Sequence, residues 1–255
     1  MSFIDTHCHL YLKEFDADIT AVLNRAEAAG INKFYLPAID SETLDLMLSL
    51  EKKYPLKCKP MAGLHPCSVK ENYKDELRIV EDILGKRSFA AIGEIGLDFY
   101  WDRTFEPQQY ESFHQQIEWA LHYDLPIVIH SRESMEQCIQ VVKQHQNGKL
   151  KGIFHCFTGS AESAQKISDL GFYLGIGGVI TYKNSGLAET LKSISMDFIV
   201  LETDAPYLTP VPFRGKRNES SYIRYIAQKL ADVKNMDITE VEKITTSNAE
   251  KIFKA

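Results

Sequence analysis

Phe198-Ile-Val-Leu-Glu-Thr-Asp-Ala-Pro206 decides how the chain is read: four apolar residues, then Glu202 and Asp204 two apart, then a proline. A continuous apolar run of this length marks a strand buried on both faces, as in a parallel sheet covered by helices. The same pattern recurs upstream. Ile127-Val-Ile-His130 and Ile153-Phe-His155 end in histidine, Ala91-Ile-Gly-Glu94 ends in a carboxylate, and the first strand runs into Asp5-Thr-His7-Cys8-His9. The spacing predicts eight strands, at 3–7, 33–37, 58–63, 89–94, 126–130, 152–155, 172–176 and 198–202.

Amphipathic stripes fill the gaps. Ile19, Val22, Leu23 and Ala26 repeat at helical spacing, with Gly30 placed to end the helix. Tyr110, Phe113, Ile117 and Leu121 form a second stripe, and Ile223, Ile226, Ala227, Leu230 and Val233 a third. Thr239 and Glu242 have capping-box spacing ahead of a last helix carrying Ile244. Eight strands alternating with helices over 255 residues are what a single (β/α)8 TIM-type barrel requires. The rival, an open doubly wound sheet, would carry a glycine-rich first turn; here that turn is His7-Cys-His9, with no glycine before Gly30. Without a linker, repeat or low-complexity segment, residues 1–255 are expected to form one α/β domain.

Composition narrows the function. The 29 Lys+Arg against 35 Asp+Glu give a net charge of −6, with 44% hydrophobic and 11% aromatic residues. This excludes intrinsic disorder. The acidity argues against coating long nucleic acid through a basic face, yet allows an enzyme that holds a few nucleotides at a metal centre. No run approaches the roughly 18 apolar residues of a spanning helix, and Met1-Ser-Phe-Ile-Asp5 turns polar too soon for a signal peptide. Five scattered cysteines without a CxxC pair fit a reduced compartment, so a cytoplasmic protein is expected, with no membrane contact and no obligate protein partner.

The polar residues fall at the C-terminal ends of the strands, where a barrel keeps its active site. Residues two apart in an extended chain face the same way, so His7 and His9 converge. Gathering four histidines and two carboxylates in one mouth costs several kcal/mol per group without a counter-charge. A pair of divalent cations (zinc, manganese or magnesium) removes that cost. Glu94 is expected to bridge them, with His7, His9 and Asp204 on one ion and His130 and His155 on the other. Asp204 is expected to orient a water and accept its proton.

Other positions keep two readings. His65 either donates to a phosphate oxygen or is a turn residue before Pro66. Glu202 either holds a ligand histidine from behind or forms a structural ion pair. Asp98 and Arg132 are placed in loops on the catalytic face, as substrate-orienting or solvated charges. Arg214, Lys216 and Arg217, the one local basic cluster, either contact phosphate or form a solvated face. Cys8 and Cys156 are expected to point away from the mouth into barrel packing, and no base is identifiable for Cys67. His114, His122 and His145 are read as surface residues.

His7-Cys-His9-Leu, Gly63-Leu-His65-Pro66, Gly93-Glu94-Ile-Gly96-Leu-Asp98, His130-Ser-Arg132, His155-Cys-Phe-Thr-Gly159 and Glu202-Thr-Asp204-Ala-Pro206 together resemble the TatD-type metal-dependent deoxyribonucleases. The likeness runs from Phe3 to the closing Ser247-Asn-Ala. It implies a (β/α)8 fold in the wider amidohydrolase class, a two-metal site, and hydrolysis of DNA phosphodiesters as a 3′ to 5′ exonuclease on single-stranded ends. Carried over residue by residue, it implies the same ligands: His7, His9, Glu94, His130, His155 and Asp204. The wider class often bridges its metals with a carbamylated lysine on strand four, where this chain has Glu94. Ser220 stands where the family pattern has proline, a departure that bears on the shape of the loop after strand eight.

Three functions follow in order. The first is a metal-dependent DNase with a short single-stranded DNA end as its substrate. The second is an amidohydrolase or esterase acting on a carbonyl with the same ligands. The third is a non-catalytic metal-binding protein, disfavoured because a structural site needs fewer ligands and no open position.

Overall fold

All eight apolar runs become strands: β1 (Phe3–Asp5), β2 (Ile31–Leu36), β3 (Cys58–Pro60), β4 (Ile92–Asp98), β5 (Ile127–Arg132), β6 (Gly152–Phe154), β7 (Tyr173–Ile176) and β8 (Ile199–Leu201). The computed structural model describes residues 2–254. The strands run parallel in sequence order as β1-β2-β3 and β4-β5-β6-β7-β8. A parallel bridge between Ala62 and Ile92 joins the two sheets, and Thr6 N donates to Leu201 O at 3.1 Å where β8 meets β1. The barrel is thereby closed.

Helices alternate with the strands as α1 (Ile19–Ala28), α2 (Ser41–Lys53), α3 (Tyr73–Leu84), α4 (Glu106–Tyr123), α5 (Met135–His145), α6 (Ala161–Asp169), α7 (Leu187–Leu191), α8 (Ile223–Lys234) and α9 (Ile238–Phe253). In α1 the stripe Val22, Leu23 and Ala26 is buried, and Gly30 adopts φ +84° to leave the helix, as its lack of Cβ permits. The expected start of the last helix is corrected. Asp237, not Thr239, caps α9, its carboxylate accepting from Thr239 N at 2.8 Å.

Alternation along the strands separates two apolar layers. Ile127 and Ile129 pack outward under the helices, whereas Val128 joins Ile4, Tyr35, Met61, Ile153 and Val200 inside the barrel. Helix α9 plugs the lower end: Phe253 stacks on Tyr35 at 3.7 Å between ring centroids, and Ala249 and Ile252 complete the layer. Asn248, from the closing Ser247-Asn-Ala motif, donates to Met196 O at 2.8 Å and Ile199 O at 2.9 Å, tying α9 to the start of β8. That motif is structural. The same alternation carries His130 inward two residues after Val128, and His155 two after Ile153.

Strand β4 needs a further device. Ile92 and Ile95 both pack outward although they are three apart, which a regular strand forbids. The register supplies the answer: Gly93 pairs with Val128 and Ile95 with Ile129, leaving Glu94 as the extra residue of a bulge. The bulge turns Glu94 into the mouth of the barrel. It also prolongs β4 to Asp98, beyond the expected end at Glu94.

Candidate metal centre

His7, His9, Glu94, His130, His155 and Asp204 come together at the C-terminal mouth with His65, as groups of possible metal donors. All of them except His7 line a cleft of about 820 Å³. Glu94 divides them. Its Oε2 lies 3.2 Å from His7 Nε2 and 3.7 Å from His9 Nε2, and its Oε1 lies 2.8 Å from His155 Nε2, 2.9 Å from His130 Nδ1 and 3.4 Å from His65 Nε2. Asp204 Oδ1 completes the first group, 3.6 Å from His7 Nε2 and 3.5 Å from His9 Nε2.

These donors fit a cation. Ligands held at 2.0–2.1 Å around a tetrahedral ion stand about 3.4 Å from one another. The first group has edges of 3.2, 3.3, 3.5, 3.6 and 3.7 Å, one of them between two imidazole nitrogens, His7 Nε2 and His9 Nε2. Tyr11 fixes the tautomer of His9. Its hydroxyl proton goes to Pro37 O at 2.6 Å, so the 3.1 Å contact with His9 Nδ1 uses the imidazole's own N–H and leaves the lone pair on Nε2, facing the group.

Carboxylates stand behind the second group. Asp98 Oδ2 lies 2.8 Å from His130 Nε2, and Glu202 Oε1 lies 3.5 Å from His155 Nδ1 while accepting from Cys156 N at 2.5 Å. Glu202 is accommodated because residue 175 is glycine: a Cβ there would fall 2.2 Å from Glu202 Oε2. His65 behaves differently. Its Nδ1 accepts from Cys67 N at 3.0 Å, so the neutral ring presents an Nε2–H donor to the cleft rather than a lone pair.

The charges follow from this crowding. Burial alone would raise the Glu94 carboxyl, but His155, His65, His7 and His130 hold it well below the usual carboxylate range. Burial likewise opposes the ionised form of Asp204, and the neighbouring His9, His155 and His7 rings overcome it. Burial would lower His155, yet Glu94 and Glu202 hold it well above the ordinary imidazole value. His7, where burial and the His155 charge act together, is lowered.

Several expectations need correction. Asp98 is not a loop charge: it is buried at the end of β4, and its Oδ1 accepts from Tyr100 N and Trp101 N, both at 3.0 Å. Arg132 is likewise the last residue of β5, lining the cleft. The basic cluster lies outside the cleft lining. Arg217 makes two 2.8 Å contacts with Asp18 and also donates to Glu14 O at 2.5 Å. Arg214 stands 4.2 Å over the Tyr182 ring and Lys216 lies 5.8 Å from the Phe213 ring, both outside the cleft lining. Cys8 is buried as expected, but Cys156 takes φ 47° after β6 ends, which breaks the alternation and brings it into the cleft lining. His114 and His145 are half-buried and pair with each other at 2.7 Å. Ser220 is buried and donates to Asp5 Oδ2 at 2.6 Å, alongside Thr203 Oγ1 at 2.6 Å. This serine thus ties the loop after β8 to the carboxylate that ends β1.

Residues absent from the expected site are Tyr11, Trp101 and Tyr207. Tyr11 extends the alternation of His7 and His9, a signal present in the sequence. Trp101 and Tyr207 line the cleft from loops, without a sequence period to mark them.

The TatD-related DNase family model matches residues 4–254. An uncharacterized metal-dependent hydrolase of Bacillus subtilis, YabD, is 37% identical over 98% of both chains. The crystal structure of YjjV, a TatD homolog from Escherichia coli, superposes with a TM-score of 0.93 at 30% identity, covering 99% of this chain and 98% of the other. A TatD-family hydrolase of Entamoeba histolytica shares the fold at a TM-score of 0.85 and 24% identity, with 99% of this chain and 98% of that one covered. A mouth built of imidazoles and carboxylates at cation spacing, on a barrel matched from end to end, has one consistent reading: the chain belongs to the TatD-related DNase family and is a metal-dependent hydrolase.

Proposed function

We propose that the protein is a deoxyribonuclease that removes nucleotides from single-stranded DNA ends, working 3′ to 5′ in the cytoplasm. Two divalent cations (zinc, manganese or magnesium) would be held by His7, His9, Glu94, His130, His155 and Asp204. The observation that carries this reading is the double use of Glu94, whose one oxygen faces His7 and His9 and whose other faces His130 and His155. When bound, such a pair of cations lowers the pKa of a water and offsets charge on phosphoryl oxygens.

The chain's own groups supply the rest. Asp204, held below the usual carboxylate range, is unprotonated at neutral pH and accepts the proton of the attacking water. The His65 Nε2–H donates to a non-bridging phosphoryl oxygen, and Arg132 faces a neighbouring phosphate across the cleft. Asp98 and Glu202 hold His130 and His155 in orientation.

End-labelled single-stranded DNA tested beside a panel of amides, lactones and carboxylic esters checks the reading. Stepwise release of nucleotides from the 3′ end is expected. Hydrolysis confined to the carbonyl panel would overturn it. Asp204→Asn, compared at equal metal content, is expected to lose on the order of 10²–10⁴ in rate; a fully metallated variant as fast as the wild type removes the proton-accepting role.

A further inference from the structure

One wall of the cleft carries an aromatic and cationic cluster that the metal centre does not explain. Trp101 is 67% exposed and Tyr100 51% exposed, unusual for large rings in a loop. They meet edge to face at 5.0 Å, and the Arg132 guanidinium lies 3.9 Å from the Tyr100 centroid and 5.1 Å from that of Trp101. Among the described residues no carboxylate forms an ion pair with Arg132.

The cluster is also fixed to the centre. One oxygen of Asp98 accepts both backbone N–H groups of Tyr100 and Trp101, while its other oxygen lies 2.8 Å from His130 Nε2. A single buried carboxylate thus sets the distance between the exposed rings and the donors around Glu94. Rings held at a fixed distance from a hydrolytic centre, with an unpaired guanidinium beside them, match a nucleotide: a π-face for the base and a cation for the phosphate.

We propose that Trp101, supported by Tyr100 and Arg132, is a stacking platform for the unpaired nucleobase next to the scissile phosphate. It selects single-stranded ends without reading base identity. A base inside a duplex keeps both faces stacked on its neighbours and offers none to Trp101. This inference rests on the nuclease reading above and assigns its strand selectivity to the cluster.

The test uses the metal-loaded protein on two oligodeoxythymidylates that differ only at the 3′ end, one with its terminal base and one abasic there. The wild type is expected to favour the complete end about ten- to hundredfold in kcat/KM, as base stacking of this kind provides. Trp101→Ala is expected to lose that preference, the loss falling on KM rather than kcat, and Trp101→Phe to keep most of it. Fluorescence gives a readout without turnover. Binding of a phosphorothioate-capped oligodeoxythymidylate is expected to quench the wild type and not Trp101→Phe, because the remaining Trp119 is buried. Equal handling of complete and abasic ends by the wild type, or quenching that survives Trp101→Phe, overturns the platform. Failure to cleave any DNA instead overturns the nuclease reading itself, so the two failures are distinguishable.

Discussion

Two histidine pairs in this molecule differ by about half an ångström and by everything around them. His114 and His145, on α4 and α5, place Nδ1 and Nε2 2.7 Å apart, a gap that one proton fills. His7 and His9 place their Nε2 atoms 3.3 Å apart, and both lie 3.2–3.7 Å from the same two carboxylates. The outer pair makes no ion pair with a carboxylate among the described residues. The outer spacing fits a shared hydrogen, whereas the inner one fits the donor shell of a cation.

Glu94→Gln breaks the contrast most severely. The substitution keeps the shape and removes the charge that five imidazoles surround. Activity is expected to fall about a thousandfold or more, beyond the 10- to 100-fold typical of losing an outer partner. Metal bound per chain, read by elemental analysis, falls with it. A glutamine variant with full metal and full rate would show that the spacing at the mouth has another cause.

Removing metal comes next in size. At about 100 times Kd a bound ion stabilises by about 2.7 kcal/mol, so chelation is expected to lower Tm by about 5–10 °C, reversibly. His114→Gln should show the same drop, since its pair holds no ion. A Tm indifferent to the chelator would contradict the assignment at the mouth.

The smallest effect concerns pH. Burial first, and the neighbouring His145 second, lower His114 below its ordinary 6.5, with Glu118 opposing. The unfolded chain then binds the proton more readily, so this pair's stabilisation is present above pH 6.5 and declines as pH falls through the lowered folded value. Denaturation midpoints between pH 7.5 and 5 are expected to fall less in His114→Gln than in the wild type. Parallel curves would mean that the pair is electrostatically idle.

Much of this was legible in the chain because the barrel turns strand alternation into geometry. Val128 and His130 share a face, as do Ile153 and His155, and eight apolar runs sufficed to place them. Three kinds of feature escaped. The bulge at Glu94 shifts alternation by one residue, so Asp98 became the end of a strand rather than a loop charge. Arg217 looked free because its partner, Asp18, lies 199 residues away. Trp101 carries no periodic signal, and its meaning depends on Asp98, which grips its backbone and His130 together.

The seam between β1 and β8 has a consequence for biosynthesis. Asp204 N donates to His7 O at 2.9 Å, and Thr203 N to Asp5 Oδ1 at 2.9 Å, so the earliest ligands close on one of the last. That junction cannot form until residue 204 has been made, and the plug ending at Phe253 emerges later still. A product stalled before residue 204 carries the imidazoles of the mouth without their aspartate.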